Sequence, residues 1–211
     1  MCIRDSTHTL DTERHYTAMI FTVGQELQLI YSVGTSPSHF SCQLHDNAKL
    51  LETLRADISC TVSGMSTDHP ASLSPSELVL AQCSADQQWC RAQVVTFDPA
   101  AADAADVIFV DRGNCDTVSL TNVRWLPKGF LTLPKQSITC SLSGVKPPAG
   151  EDTKWTQEAM EKLRELATEC EYMTATVVGV SEANIIEVSL RSDSCQDFSN
   201  AMVESGHAVL S

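Results

Sequence analysis

Apolar and polar positions change rhythm several times along this chain, and each change marks an element. From Phe21 to Val33 aliphatic, β-branched and aromatic residues dominate, which predicts a strand. Gly34 through Pro37 read as a turn, and His39 to Leu44 as a second short strand. Asp46 is the expected N-cap of a helix carrying Leu51, Leu54 and Ile58 on one face, because spacings of three and four superimpose on a helix. A Ser- and Pro-bearing connection follows, from about Ser63 to Pro75.

The middle of the chain turns to short runs separated by turn residues. Leu78–Cys83, Trp89–Phe97, Val107–Asp111, Thr117–Leu120 and Ile138–Leu142 predict five strands, at a spacing that fits a small barrel better than a parallel sheet. Asp98 to Asp106 read as a solvated Ala/Asp-rich loop, and Pro147, Pro148 and Gly150 as a breaker. The clearest helix comes next, capped by Asp152 or Thr153, with Trp155, Ala159, Leu163, Leu166, Ala167 and Cys170 at helical spacing. Strands at Met173–Val180 and Ile185–Leu190 follow, then a short helix capped by Asp197 and ended by Gly206. The order predicts a mostly β, α+β chain in which one small β domain interrupts another. Residues 1–15 form an unpatterned tail, 16–63 and 149–211 the two parts of the interrupted domain, and 64–148 the inserted barrel.

Charge narrows the function classes. The 211 residues hold 27 Asp+Glu against 14 Lys+Arg, a formal net charge of −13. Such a surface repels phosphate backbones and attracts basic peptides, so nucleic acid is disfavoured as a partner. The nine cysteines include no Cys-x-x-Cys pair and most lie in apolar runs, where a reduced thiol packs as a small hydrophobe. The expected setting is a reducing, cytoplasmic one. No apolar run approaches the ~20 residues of a membrane span, and no secretory signal pattern opens the chain.

Several segments in the right order carry an identification. Ala81-Gln-Cys-Ser-Ala-Asp-Gln-Gln-Trp-Cys-Arg-Ala92 is followed by Val107-Ile-Phe-Val-Asp-Arg-Gly-Asn114, then Val123-Arg-Trp-Leu-Pro127 and Leu133-Pro-Lys-Gln136. This resembles the Tudor domain, whose strands read D-x-x-W-Y-R-A and V-x-F-x-D-Y-G-N. Ser36-Pro-Ser-His-Phe40 and the helical stretch from Trp155 to Ala167 resemble the flanks of its extended form. The resemblance covers about Tyr16 to Ser205 and implies a five-stranded Tudor barrel, ending with the strand through Cys140, inserted into a split OB-like domain related to staphylococcal nuclease. It further implies binding of symmetrically dimethylated arginine in the Arg/Gly-rich tail of a Piwi-type protein, in cytoplasmic ribonucleoprotein granules of the germline. No cofactor, metal or membrane is implied.

Methylarginine recognition of that kind needs an aromatic cage plus an amide. Carried onto this chain, the cage positions are Ser84, Cys90, Phe109 and Arg112, with the amide at Asn114; only Phe109 is aromatic. Three lost walls are worth about 1.5–6 kcal/mol, or tenfold to ten-thousandfold in affinity. Arg112 also places a cation where the ligand's cation would sit. The expectation is therefore a degenerate cage with weak or no dimethylarginine binding, in which Arg112 folds over Phe109 and Asn114 or pairs with Asp111 or Asp116.

Other constellations carry less. Trp89 and Trp125 are assigned to core packing, since a strand residue next to a cage position points to the opposite face. Gly113-Asn114 is a turn signal whatever the function. His39, Cys42 and His45 stand three apart on a strand, so they do not converge as zinc ligands. Nuclease chemistry would need clustered acids and phosphate-binding arginines. Between Thr17 and Leu54 there is no Arg, and the only acids are Glu26, Asp46 and Glu52. The chain reads as non-catalytic. Binding of RNA through the OB-like face is the alternative, and it would require Arg55, Lys128, Lys135 and Lys146 to form one basic patch.

Overall fold

The computed structural model describes residue 16 and residues 19–98, 103–148 and 154–211. The chain opens with β1 (Glu26–Ser36), β2 (His39–Leu44) and helix α1 (Ala48–Ser63). Five strands come next: β3 (Leu78–Gln82), β4 (Trp89–Phe97), β5 (Ala104–Phe109), β6 (Cys115–Ser119) and β7 (Val123–Trp125). The remainder is β8 (Ile138–Leu142), β9 (Val145–Lys146), α2 (Gln157–Thr168), β10 (Met173–Val180), β11 (Ile186–Arg191), α3 (Phe198–Glu204) and β12 (Val209–Leu210).

Two β units result, one inside the other. Strands β1, β10, β11, β8 and β2 close a barrel in that order, antiparallel at every step except β11 with β8. Its core holds Leu29, Phe40, Cys42, Val188 and Leu190, sealed by α2 and α3 through Leu163, Phe198 and Met202. The inserted unit is a five-stranded sheet in the order β6-β5-β4-β3-β7. Every residue of Leu78–Ala81 is buried because β3 is covered on both faces. Val79 and Ala81 face the sheet's own core, while Leu78 and Leu80 meet Leu51, Leu54 and Ile58 of α1.

The mostly β, α+β architecture with one unit inserted into the other is as expected, but several boundaries change: β1 runs on to Ser36 through most of the expected turn, and β5 starts at Ala104 inside the expected Asp98–Asp106 loop. Ile138–Leu142 does not end the inserted barrel; it pairs with β2 and β11 and belongs to the closed barrel. Its inward alternation of Ile138, Cys140 and Leu142 fits either unit, so periodicity could not assign it. The fifth strand of the inserted sheet is β7, whose three residues are too few to show a period. The first strand begins at Glu26 rather than Phe21, after Gly24 turns the chain at φ +86°.

Helix starts differ too. A 3-10 turn over His45–Asn47 precedes α1, so Asp46 does not cap it. Asn47 is the flanking residue, and its amide donates to Gln136 Oε1 (2.7 Å) in the connection before β8. For α2 the cap is Thr156, whose hydroxyl accepts from the Ala159 N–H (3.2 Å). Asp152 and Thr153 lie outside the described residues. Asp197 caps α3 as expected, accepting from the Asn200 N–H (3.0 Å).

The two units are pinned together by one buried cation. Arg91 of β4 is fully buried, with Asp111 beside it at the end of β5. Its Nε donates to Asp111 Oδ2 (2.9 Å) and Nη2 to Oδ1 (2.5 Å). The remaining N–H groups reach the carbonyls of Phe130 (2.7 Å), Leu133 (2.6 Å) and Pro134 (2.9 Å). The carbonyl of Asp111 accepts from Gln43 Nε2 on β2, and the Ser137 N–H donates to the Val110 carbonyl (3.1 Å). Gly113 then passes so close to the closed barrel that a Cβ would lie 2.6 Å from Ser137 Oγ and collide with Ser41.

Removing one partner of a fully desolvated ion pair leaves the other charge buried, which costs about 3–5 kcal/mol. Asp111→Ala is expected to destabilise the chain by that amount in urea unfolding. Gly113 has φ +88°, so Gly113→Ala combines backbone strain with steric overlap and should lose about 1–3 kcal/mol in the same measurement. Gly129→Ala is the control: it has open space around it and should stay within about 0.5 kcal/mol of the parent.

Candidate functional site

Two tight turns form one end of the inserted sheet, and the five candidate residues lie on or beside them. The first joins β3 to β4, where the Gln87 N–H donates to the Cys83 carbonyl (2.9 Å) and Gln87 itself takes φ +58°. The second joins β5 to β6, where the Gly113 N–H donates to the Phe109 carbonyl (2.7 Å). Gly113 supplies the positive φ this turn requires.

Cys90 and Phe109 are part of the sheet's core. Cys90 pairs with Ala81 across the ladder, Phe109 pairs with Ala92, and both side chains pack with Val79, Val107 and Val123. Burial, partly offset by the nearby Arg112 charge, pushes the Cys90 thiol from 9.0 up to about 11. Ser84 is exposed and engaged by Asp116, which accepts from its N–H (2.8 Å) and lies 3.1 Å from its hydroxyl. Asn114 closes the second turn through its carbonyl, which accepts from the Phe109 N–H (2.9 Å).

Arg112 reaches across from the second turn to the first. Its Nη1 donates to Asp86 Oδ2 (2.7 Å) and Nη2 to Gln88 Oε1 (2.8 Å). The partners expected from sequence, Asp111 and Asp116, are both already committed: Asp111 to Arg91, Asp116 to Ser84. Asp86 takes the guanidinium instead, because it sits at the tip of the facing turn. Its slight burial opposes charge, but the hydrogen bonds from Arg112 and from the Gln88 N–H (3.1 Å) hold its carboxyl below the usual range. Periodicity could not have found Asp86, since 26 residues and two strands separate it from Arg112.

The remaining expectations divide. Trp89 packs on the α1 side of the sheet, as expected, with the Arg124 guanidinium 5.2 Å from its ring centre. Trp125 does not belong to the core. It ends the edge strand β7 and is 45% exposed. His39 is exposed, Cys42 points into the closed barrel, and the His45 ring lies tilted against that of Tyr172 (centres 4.7 Å apart) near Glu171. Of the four cations considered for a basic patch, Arg55 stands on α1, Lys128 and Lys135 on the connection before β8, and Lys146 on β9.

Comparison with known proteins gives a consistent result. The Tudor domain family matches residues 21–144, more than half of the chain. Tudor domain-containing protein 1 of Oryzias latipes is 32% identical over 145 residues, which are 69% of this chain and 12% of that protein. Its human counterpart is 28% identical over 194 residues, 90% of this chain and 16% of that protein. The chain thus spans about an eighth to a sixth of the length of these relatives. Among solved structures, the human TDRD1 extended Tudor domain in complex with a symmetrically dimethylated peptide superposes with a TM-score of 0.84 at 28% identity, covering 93% of this chain and 96% of that one. The extended Tudor domain TD3 of mouse TDRD1, in complex with a MILI peptide containing dimethylarginine, shares the fold with a TM-score of 0.84 at 24% identity, covering 93% and 99%. With its five-stranded sheet inserted beside a closed barrel, W-C-R-A opening β4 and F-V-D-R-G-N forming the turn after β5, this chain belongs to the Tudor domain family, in the extended form.

Proposed function

We propose that this chain is a non-catalytic protein-interaction module, one repeat of a longer multi-Tudor scaffold, whose methylarginine site is closed. The observation that carries the reading is the Arg112 guanidinium, bound to Asp86 and Gln88 across the two turns that would frame the ligand. A cation already fixed there repels a second one, and its two hydrogen bonds would have to break before a ligand entered. Cys90 and Ser84 offer no π face for a cation–π contact. The single aromatic side chain among the five positions, Phe109, is fully buried.

The biological setting we infer is a cytoplasmic ribonucleoprotein granule of the germline Piwi-interacting RNA pathway. It is supported by the family and by relatives whose solved domains hold dimethylated peptides, one of them from MILI. The net charge of −13 favours a basic protein partner, such as the Arg/Gly-rich tail of a Piwi-type protein or another granule protein, held by surfaces other than the closed site. RNA is the weaker alternative, because a net charge of −13 repels a phosphate backbone.

Titration with an Arg/Gly-rich peptide, unmodified and symmetrically dimethylated, tests the reading by calorimetry at low salt. The parent chain should show no gain on methylation. Arg112→Tyr, alone and with Cys90→Tyr, should gain methyl-dependent affinity, by roughly fivefold to a thousandfold for two restored walls at 0.5–2 kcal/mol each. Micromolar, methyl-dependent binding by the parent chain would overturn the closed-site reading.

Thiol chemistry supplies a second check. With its pKa pushed up to about 11, Cys90 stays protonated and covered at pH 8, so iodoacetamide should modify the exposed Cys60 and Cys115 and spare Cys90. Because the folded state holds the thiol above its ordinary 9.0, the stability this confers is complete below pH 9 and is lost as pH rises towards 11.

A further inference from the structure

A cleft of about 650 Å³ lies on the closed barrel, away from the Cys90–Phe109 core of the inserted sheet. One wall is the run Tyr31 to Thr35 of β1; the other is Trp155 and the first turns of α2. Side chains of a strand alternate between its faces, so a cleft lying over a sheet face is lined by every second residue. Here five consecutive residues line it, which means that the main chain at the strand's edge forms the wall.

Strand pairing agrees. β1 is paired with β10 only from Glu26 to Leu29, whereas its pairing with β2 continues to Ser36. From Ile30 to Ser36 the strand therefore has a neighbouring strand on one side. Register shifts between Tyr31 and Val33 and between Gly34 and Ser36 mark two bulges that bend this stretch away from β10. Ser32 spends its hydroxyl on the Arg112 carbonyl (2.7 Å), a side-chain contact that leaves the main chain of the edge untouched. Gly34 sits so close to α2 that a Cβ would lie 2.9 Å from Met160 Cε, which makes Met160 the floor of the cleft. Trp155 is fixed at the rim by its Nε1–H, which donates to Ser38 Oγ (2.7 Å).

We propose that this cleft is a docking site for an extended, basic segment of a partner protein, which adds to β1 as a strand along Ile30–Ser36. Strand addition draws affinity from main-chain hydrogen bonds and specificity from pockets for alternate side chains. Tyr31, Trp155 and Met160 provide apolar contacts for such side chains. Basic residues on the segment answer Glu161 at the rim and the excess of acid over the whole chain. Among the described residues that line the cleft Glu161 and Arg164 balance each other, so it is the field of the whole acidic molecule that favours a basic segment over an acidic one. The inference stands on the edge of β1 and does not depend on whether the Arg112 site is closed.

Hydrogen exchange of the free protein is the first arm of the test. Between Ile30 and Ser36, the amides not bonded to β2 should exchange at least about tenfold faster than those of Leu27 and Leu29, where β1 is paired with β10. Equal protection would show that α2 already covers the edge and would overturn the proposal. The second arm is an amide and indole NMR titration with three end-capped octapeptides: alternating Lys-Val, alternating Glu-Val, and Lys-Val with every second backbone nitrogen methylated.

The Lys-Val peptide should shift the amides of Tyr31–Thr35 and the Trp155 indole. It should lose roughly tenfold or more in affinity on N-methylation, which removes donors from the added strand. Trp155→Ala should weaken binding by about tenfold, read at a temperature where its amide spectrum shows the variant folded, since Trp155 also packs against the closed-barrel core. Shifts confined to other residues, equal binding of the N-methylated peptide, a preference for Glu-Val, or no binding of Lys-Val at millimolar concentration would each overturn it.

Discussion

A guanidinium has five N–H donors, and Arg91 spends all five inside the protein: two on the Asp111 carboxylate and three on the carbonyls of Phe130, Leu133 and Pro134. Such a group can be buried only where every donor is met and the charge is paired. That requirement shapes three separate segments at once. It wraps the connection between β7 and β8 around the guanidinium, fixes the end of β5 against β4, and turns the Asp111 backbone so that its carbonyl meets Gln43 of the other barrel. Tyr16 lays its ring 4.6 Å from the same guanidinium, so the chain's entry into the module is gathered to the same point. The two β units share no strand, yet their relative placement rests on this cluster and the close passage of Gly113 beside Ser41 and Ser137.

The state of the site follows from the same constraint. With Asp111 taken by Arg91 on the inner side of the strand, Arg112 next to it is sent outward, to the end of the sheet. Asp116 is held by Ser84, so the acid left within reach is Asp86, with Gln88 beside it. The clip between the turns is thus a result of exclusion as much as attraction. An exposed pair of this kind contributes little stability by itself. On the proposed reading its effect is positional, because it places a charge and two made hydrogen bonds where an incoming cation would need an empty, π-lined space.

Periodicity carried the parts of the fold in which one face is buried. The bounds of β2, β4, β8 and β10 follow from their runs of apolar and β-branched residues, and the buried face of α1 follows from Leu51, Leu54 and Ile58. Pairing was not legible, because alternation says which way a side chain points and nothing of which strand lies beside it. That is why β8 was placed in the wrong unit. The two-residue strands β9 and β12 were invisible for want of length. At the site, Cys90 lies in the W-C-R-A pattern and Phe109, Arg112 and Asn114 in F-V-D-R-G-N, while Ser84 belongs to the segment before them; what the sequence carried was the pair of tight turns that bring these residues to one end of the sheet. The partner of Arg112 and the Arg91–Asp111 pair were missed. A signal for the latter existed: an arginine in the buried run Cys90–Ala92 cannot stay unpaired, and Asp111 was the acid adjoining another buried run.

The fold also shows why cage residues can change without cost to the architecture. Ser84 and Arg112 touch mainly the turns and their own acidic partners, and Asn114 serves the second turn through its carbonyl. Cys90 and Phe109 do lie in the core, yet there they act as apolar volume among Val79, Val107 and Val123, a role that needs no π face and tolerates exchange among hydrophobes of suitable size. What holds the module together is the Arg91 cluster, the two-sided burial of β3 and the closed barrel; of the five candidate positions only Cys90 and Phe109 enter these, as apolar volume against one face of β3. Recognition chemistry and stability are therefore separable in this fold. On the proposed reading, this is how a repeat without aromatic walls keeps its shape and stays available to partners through other surfaces.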